Sequence, residues 1–299
     1  MKKSYKADLV LLLVTVIWGA GFPVTKFALQ TITPMYIIAL RFIIAGSLLS
    51  AIFYKKLKYI SKSIMKPALV LALLQFATYI FQTIGMQYTT ASKAGFFIGL
   101  AVILVPFYSY FYLKTNIQTK IVISTFLAAL GLFILSFDGG RLSFNIGDFL
   151  MVLSANCCAW HLILSSVYIK KHDAILLSLL HMIFVAGFGT IAAVSLETFP
   201  RNISLISFGS LLFMGVLCTA FGFLVQIVAL KYTTATHEAI IFTMEPVFGA
   251  ITSRILLNEQ LGVKGVFGGV LIIFAMLLSE LNITFFKSLF NPNSKESLN

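Results

Sequence analysis

The chain has 299 residues, of which 59% are hydrophobic and 11% charged, and it carries a formal net charge of +12. Soluble domains run near half apolar and about a quarter charged, so a soluble fold of this length would lack the polar surface to cover itself. The basic excess does not point to nucleic acid, because the Lys and Arg residues other than Arg41, which lies inside a block, fall near the ends of long apolar blocks rather than on one basic stripe.

Ten blocks follow one another along the chain: about 7–28, 34–53, 67–87, 91–113, 121–137, 148–168, 174–195, 207–230, 234–257 and 264–285. Each is close to the roughly 20 residues that a helix needs to cross a bilayer core about 30 Å thick. The expected fold class is an all-α membrane protein with ten transmembrane helices in the cell membrane. The start, MKKSYK followed by LVLLLVTVIWGAGF, reads as a first span and not a cleaved leader, because its apolar run continues past Ala20 and has a counterpart later in the chain. Residues 287–299 read as a flexible tail. Cys157, Cys158 and Cys218 all lie inside blocks and read as small buried side chains, not as a disulfide framework. No metal site is expected, and no Gly-rich phosphate loop suggests a nucleotide or other cofactor.

With the N-terminus in the cytoplasm, 15 Lys residues fall on the cytoplasmic side and 6 Lys or Arg residues on the outer side: Lys26, Lys93, Arg141, Arg201, Arg254 and Lys264. The positive-inside rule then places both termini in the cytoplasm, where the surplus charge faces anionic lipid heads.

The stretch YTTASKAGFF from Tyr88 returns as YTTATHEAII from Tyr232, 144 residues on. At the same offset Gln82 falls on Gln226 and Lys120 on Lys264; with a small gap, Asp8 falls on Asp148 and Arg41 on His181. Spans 1–5 (residues 1–144) therefore correspond to spans 6–10 (residues 145–286). A unit with an odd number of spans inserts its second copy upside down. Such inverted repeats build a transport site between the halves, with access alternating from one side to the other.

WGAGFPVTK (18–26), PMYIIALRFIIAG (34–46), IGDFLMVLSANCCAWHLIL (146–164), GVLCTAFGFLVQIVALKYTTAT (215–236) and EPVFGAITSRILLNEQL (245–261) together resemble the EamA-type branch of the drug/metabolite transporter superfamily. The resemblance implies ten helices in two inverted five-helix repeats and movement of small metabolites across the membrane, with no enzymatic step. Two positions depart from its pattern. An acidic residue after span 4 is missing from KTNIQ and present only as Glu259 in the second half, and span 7 has His181 where the family often has Gln.

Polar residues at membrane depth usually face the bundle interior. Gln75, Thr78 and Gln82 share a face of span 3, and Thr219, Gly222 and Gln226 share the matching face of span 8. Gln82 and Gln226 are candidates to line a substrate cavity; the alternative is interhelical hydrogen bonding. Trp18 and Trp160 lie deep in their spans and either wall the substrate or pack the core. His161 and His181 are further candidates, since either could titrate near neutral pH. Glu245, in mid-span beside Pro246, is the candidate for proton coupling or for a cationic substrate; the alternative is a structural role at the carbonyl that Pro246 leaves free. Pro23, Pro106 and Pro246 are expected to interrupt spans 1, 4 and 9 as kinks or gates. Lys26 and Lys93 are expected to snorkel outward. Gly95/Gly99 and Gly265/Gly269 have the spacing of close helix packing, or of a homodimer face.

The expected partners are a small-molecule metabolite such as an amino acid or amine, the lipid bilayer, and protons. An intramembrane enzyme is the first rival. HEAII (237–241) begins like a zinc-protease motif but has Ile241 in place of the second His, and NIGDF (145–149) has Asn145 where a membrane aspartyl protease has Gly. A non-transporting membrane subunit is the second rival, and it would need no inverted repeat with a polar seam.

The charge bias makes the topology testable. In a background without Cys157, Cys158 and Cys218, Lys58→Cys and Lys170→Cys should resist an impermeant thiol reagent applied to intact cells. Asn202→Cys and Gly140→Cys should react. The opposite labelling would overturn the orientation.

Overall fold

The computed structural model describes residues 2–136, 145–258 and 263–280. The expected tail at 287–299, together with Gly140, Arg141 and Glu259, lies outside the described residues, as does the side chain of Lys93. Among the described residues all regular structure is helical. The first half contributes α1 (Lys2–Ala28), α2 (Pro34–Ile52), α3 (Lys62–Tyr88), α4 (Ala91–Gly99), α5 (Ala101–Leu113) and α6 (Thr119–Ser136). The second contributes α7 (Ile146–Tyr168), α8 (Ala174–Leu196), α9 (Leu205–Phe213), a π-helical segment (Met214–Phe221), α10 (Gly222–Ala229), α11 (Ala235–Phe242), α12 (Met244–Leu257) and α13 (Val263–Glu280).

Eight helical stretches are long and apolar enough to cross a membrane: Lys6–Ala28, Pro34–Ile52, Lys62–Tyr88, Ala94–Leu113, Ile146–Tyr168, Ala174–Leu196, Leu205–Ala229 and Ala235–Leu257. The protein is therefore an all-helical, multi-pass membrane protein. The two remaining apolar blocks correspond to α6 and α13, each 18 residues long. Their apolar cores are shorter, Thr119–Ile134 and Val266–Ala275. At 1.5 Å per residue, 18 residues reach about 27 Å, slightly less than the hydrocarbon thickness.

Helix ends follow local chemistry. Asn145 and Asp148 close a capping box on α7, and Asp148 also accepts a hydrogen bond from the Thr89 hydroxyl at 2.7 Å. The end of α3 is thereby tied to the start of α7, two helices that lie side by side. In the second copy of the repeated phrase, His237 stands 3.5 Å from Asp8 at the start of α1. Asp8 and Asp148 are the residues that the repeat superposes, so each copy of the phrase docks on the opposite half. Lys26 is drawn into the first of these junctions. Instead of reaching outward it donates to the carbonyls of Met86 and Thr89 at the end of α3, where the last carbonyls of a helix lack partners and attract a cation.

The interface of α2 and α8 is closed at both ends. The Glu197 carboxylate accepts from the Met35 and Tyr36 amides, at 3.0 and 3.2 Å, and from the Thr33 hydroxyl, and so caps the start of α2. At the other end Lys56 pairs with Asp173, the N-cap of α8, at 2.8 Å. Burial alone would raise the Asp173 carboxyl, but the Lys56 hydrogen bond, the Leu176 amide and the Lys56 charge outweigh it and hold the group below its ordinary value.

The prolines do not break the helices at their own positions. Pro23 lies inside an uninterrupted α1. The break in span 4 is at Leu100 and that in span 9 at Thr243. A proline ring collides with the carbonyl four residues earlier; for Pro246 that residue is Phe242, the last of α11. At Leu100 the helix interrupts two residues before the carbonyl that Pro106 would obstruct. The two breaks are about 143 residues apart and so nearly superpose under the repeat, more closely than the prolines do. Pro246 packs into the notch of Gly95 and Gly99: a Cβ on either would lie within about 3.4 Å of it. That Gly pair is thus filled from within the chain and does not offer a free face to a second copy.

A close backbone contact lies between α1 and α12. A Cβ on Gly19 would stand 2.7 Å from the Glu245 carbonyl and 2.7 Å from the Gly249 nitrogen. Gly19→Ala should therefore lower stability by about 1–3 kcal/mol. Gly187→Ala, with nothing within 4 Å of the new methyl, should be neutral or raise stability by up to about 1 kcal/mol through helix propensity. Thermal unfolding of the two variants in detergent checks the contrast, and equal melting temperatures would contradict the close approach.

Candidate functional site

A cavity of about 620 Å³, its open mouth included, lies among helices drawn from both halves of the chain. Trp18, Phe22 and Thr25 of α1 line it, with Gln75, Thr78, Tyr79 and Gln82 of α3 and Arg41 of α2. The second half supplies Cys158 and His161 of α7, Met214 and Cys218 of the π-helical segment, Phe223 and Gln226 of α10, and Glu245 of α12.

The π-helical segment sets much of this geometry. The Gly222 N–H bonds to the Leu217 carbonyl, five residues back, and not to that of Cys218. The Cys218 carbonyl then accepts the Trp18 indole N–H at 2.7 Å. Gly222 must be glycine for the indole to arrive, since a Cβ there would stand 2.4 Å from Trp18 Nε1. Trp18 is further held between Phe223 and Phe242, with ring centroids 5.1 and 5.0 Å away. At the residue after Cys218, the Thr219 hydroxyl donates to the Met214 carbonyl at 2.7 Å and accepts from Arg41 Nε at 2.9 Å.

Arg41 is 5% exposed. Its Nη2 donates to the Tyr79 hydroxyl at 3.2 Å, and its guanidinium carbon lies 4.3 Å from the centre of the Tyr79 ring. Among the described residues no carboxylate lies within ion-pair distance of it. Phe223 is the shared wall of the site, with ring contacts to Trp18, Phe42, Tyr79, His161 and His181.

Of the residues expected from sequence, Trp18, Gln82, His161, Gln226 and Glu245 meet on this cavity. His181 does not line it. It is fully buried behind His161, the two rings 5.6 Å apart. Trp160 is directed elsewhere: it stacks on Tyr108 at 4.6 Å and meets the edge of Tyr112 at 5.5 Å. A helix turns about 100° per residue, so Trp160 cannot share the face that turns His161 and Cys158 to the cavity. Pro23, Pro106 and Pro246 are not among the lining residues.

Glu245 is not the one acid buried in span 9. Glu238 is completely buried, with Gln226 as its polar neighbour. It lies on α11, which packs against α1, α5 and α13. Arg41 was legible as a charge within a span. Phe223 carried no signal, being one of 29 phenylalanines.

The profile of the EamA-like transporter family matches this chain twice, at residues 5–137 and 145–281. A protein of Archaeoglobus fulgidus described as an uncharacterized transporter is 31% identical over 285 residues, covering 95% of this chain and 88% of that one. The uncharacterized transporter YoaV of Bacillus subtilis is 26% identical, covering 89% and 94% of the two chains. A solved crystal structure of 14% identity superposes with a TM-score of 0.77 over 92% of this chain and 98% of that one, a likeness of fold. The double match and the relatives that span most of its length show that the chain belongs to the EamA-like transporter family.

Proposed function

We propose that this membrane transporter moves small organic metabolites across the cell membrane by alternating access between two inverted five-helix repeats, residues 1–144 and 145–286, with both termini in the cytoplasm. The observation that carries the reading is a cavity lined by polar side chains whose walls come from both halves. Side chains such as Gln82, Gln226, Arg41 and Glu245 are costly at membrane depth and persist where they face water or a solute.

Three features support the inverted ten-helix arrangement. The family profile fits each half separately. Contacts are exchanged between the halves: α3 packs on α7, while α1 packs on α9, the π-helical segment and α10. The symmetric partners α2 with α8, and α6 with α13, pack on each other.

Transport accounts for the motif fragments better than hydrolysis does. Asp148 is engaged with Asn145 and Thr89, and His237 with Asp8. Both serve helix junctions away from the cavity.

In this reading the substrate occupies the cavity that Trp18, Tyr79 and Phe223 line, and Glu245 carries the coupling proton. Glu245 sits just after the break at Thr243, so a change in angle between α11 and α12 would move its carboxyl relative to the cavity. Neutral Gln keeps its shape and hydrogen-bonding capacity. Glu245→Gln should therefore retain substrate exchange in liposomes but lose accumulation driven by a pH gradient, by an order of magnitude or more. If the variant still concentrates substrate in response to the gradient, Glu245 is not the coupling group and His161 is the next to test. If wild type shows no pH dependence at all, the protein is a facilitator.

A further inference from the structure

We infer that Arg41 is the anion-binding group of the cavity and that the solute it takes carries a single carboxylate. The inference rests on the transport reading above for the identity of the site, and it adds the substrate class.

Arg41 is buried among apolar helices yet lines the cavity. The guanidinium has five N–H donors, and the structure engages two of its nitrogens, Nε by Thr219 and Nη2 by Tyr79. Neither partner carries charge. With no carboxylate at ion-pair distance among the described residues, the cation is left to whatever fills the cavity. A buried charge without a counter-ion is costly, and a carboxylate entering from water would be held by charge-assisted, fork-shaped hydrogen bonds.

The group is also held in place in advance. Thr219 is fixed by the Met214 carbonyl, and the Tyr79 ring lies against the guanidinium. Little side-chain freedom then remains to be lost when a ligand binds. The charge of the ligand follows from the lining: among the described residues Arg41 is the one Lys or Arg on the cavity, and Glu245 lies on it too. A dianion such as a phosphate monoester would meet one cation and a carboxyl group, whereas a monocarboxylate is matched. The aromatic surface of Trp18, Phe22 and Phe223 suits an apolar remainder.

The chain has two tryptophans, so Trp160→Phe leaves Trp18 as a reporter inside the cavity. In this background, in nanodiscs of phosphatidylcholine to keep anionic lipid out of the comparison, Trp18 fluorescence is titrated with butyrate and phenylacetate. Each is set against its amide and against the amine of like size, butylamine and phenethylamine, at constant ionic strength. The carboxylates should give saturable changes, with the amides and amines at least about tenfold weaker. Arg41→Gln should abolish the preference and Arg41→Lys should keep part of it. Should Arg41→Gln fail to fold, the wild-type comparison of each acid with its amide still decides. The inference is overturned if amides or amines bind as well as the carboxylates, if neither carboxylate binds, or if Arg41→Gln keeps the preference. Flux assays in liposomes separate this result from the transport reading. Flux of solutes without carboxylate preference would sink the role of Arg41 and leave transport standing. Carboxylate binding with no flux of any solute would do the reverse.

Discussion

A backbone group released from its helix inside a bilayer has no water to turn to and must find a partner within the protein. The architecture of this chain depends on how that constraint is met at three irregular places: the break at Leu100, the break at Thr243 and the π-helical segment Met214–Phe221. At Thr243 the hydroxyl returns to the Ile240 carbonyl. In the π-helical segment Thr219 serves Met214 and the indole of Trp18 serves Cys218. Each repair brings a functional-looking side chain with it. Trp18 and Arg41 reach the cavity by way of the π-helical segment, and Glu245 reaches it just after a broken helix end. Non-helical backbone at membrane depth is tolerated where it is covered by protein or lines a cavity, and here it does both.

Packing among the helices relies on close approach. Hydrocarbon tails are as apolar as the side chains they would replace, so burial of apolar surface does little to hold membrane helices together. Glycines on the contact faces let backbones come near enough for dispersion and hydrogen bonding to act. Gly19 meets the turn of Glu245 and Gly249, Gly131 meets the Gly268 carbonyl, and Gly147 meets that of Gly85. The first of these contacts bears on function, because it presses α1, which carries Trp18, against the helix that carries Glu245. Movement at either would be felt by the other.

The charged junctions at the bundle ends follow a related pattern. The repeat superposes Asp8 on Asp148 and, across the α2–α8 interface, the position of Thr33 on that of Asp173. The structure uses these pairs with different chemistry: a hydroxyl and a carboxylate at one end, a lysine and an aspartate at the other. Positions aligned by the sequence repeat thus carry different side chains at the two junctions. The same divergence is seen inside the membrane, where Arg41 corresponds to His181 but only Arg41 lines the cavity.

The sequence by itself determined the membrane class and the extent of the long helices. The block expected at 34–53 is helix Pro34–Ile52, and that at 174–195 is Ala174–Leu196. Such boundaries are legible because about 20 apolar residues, a cap and a polar connector are local properties that need no neighbour. The polar residues in the spans were equally legible as candidates, since their cost at depth does not depend on what they touch. Which of them share a cavity was decided by tertiary structure. Trp160 and His161 are adjacent in sequence, yet one stacks on Tyr108 and the other faces the cavity, because the rotation of α7 about its axis is set by its contact with α3. The positions of the helix breaks were likewise beyond local reading. Proline marks a weakness over one turn, but the place where the helix yields depends on the packing around it, as Gly95, Gly99 and Pro246 show. Phe223 and Gly222 acquire their roles only when α1 lies against α10, and no local pattern records that contact.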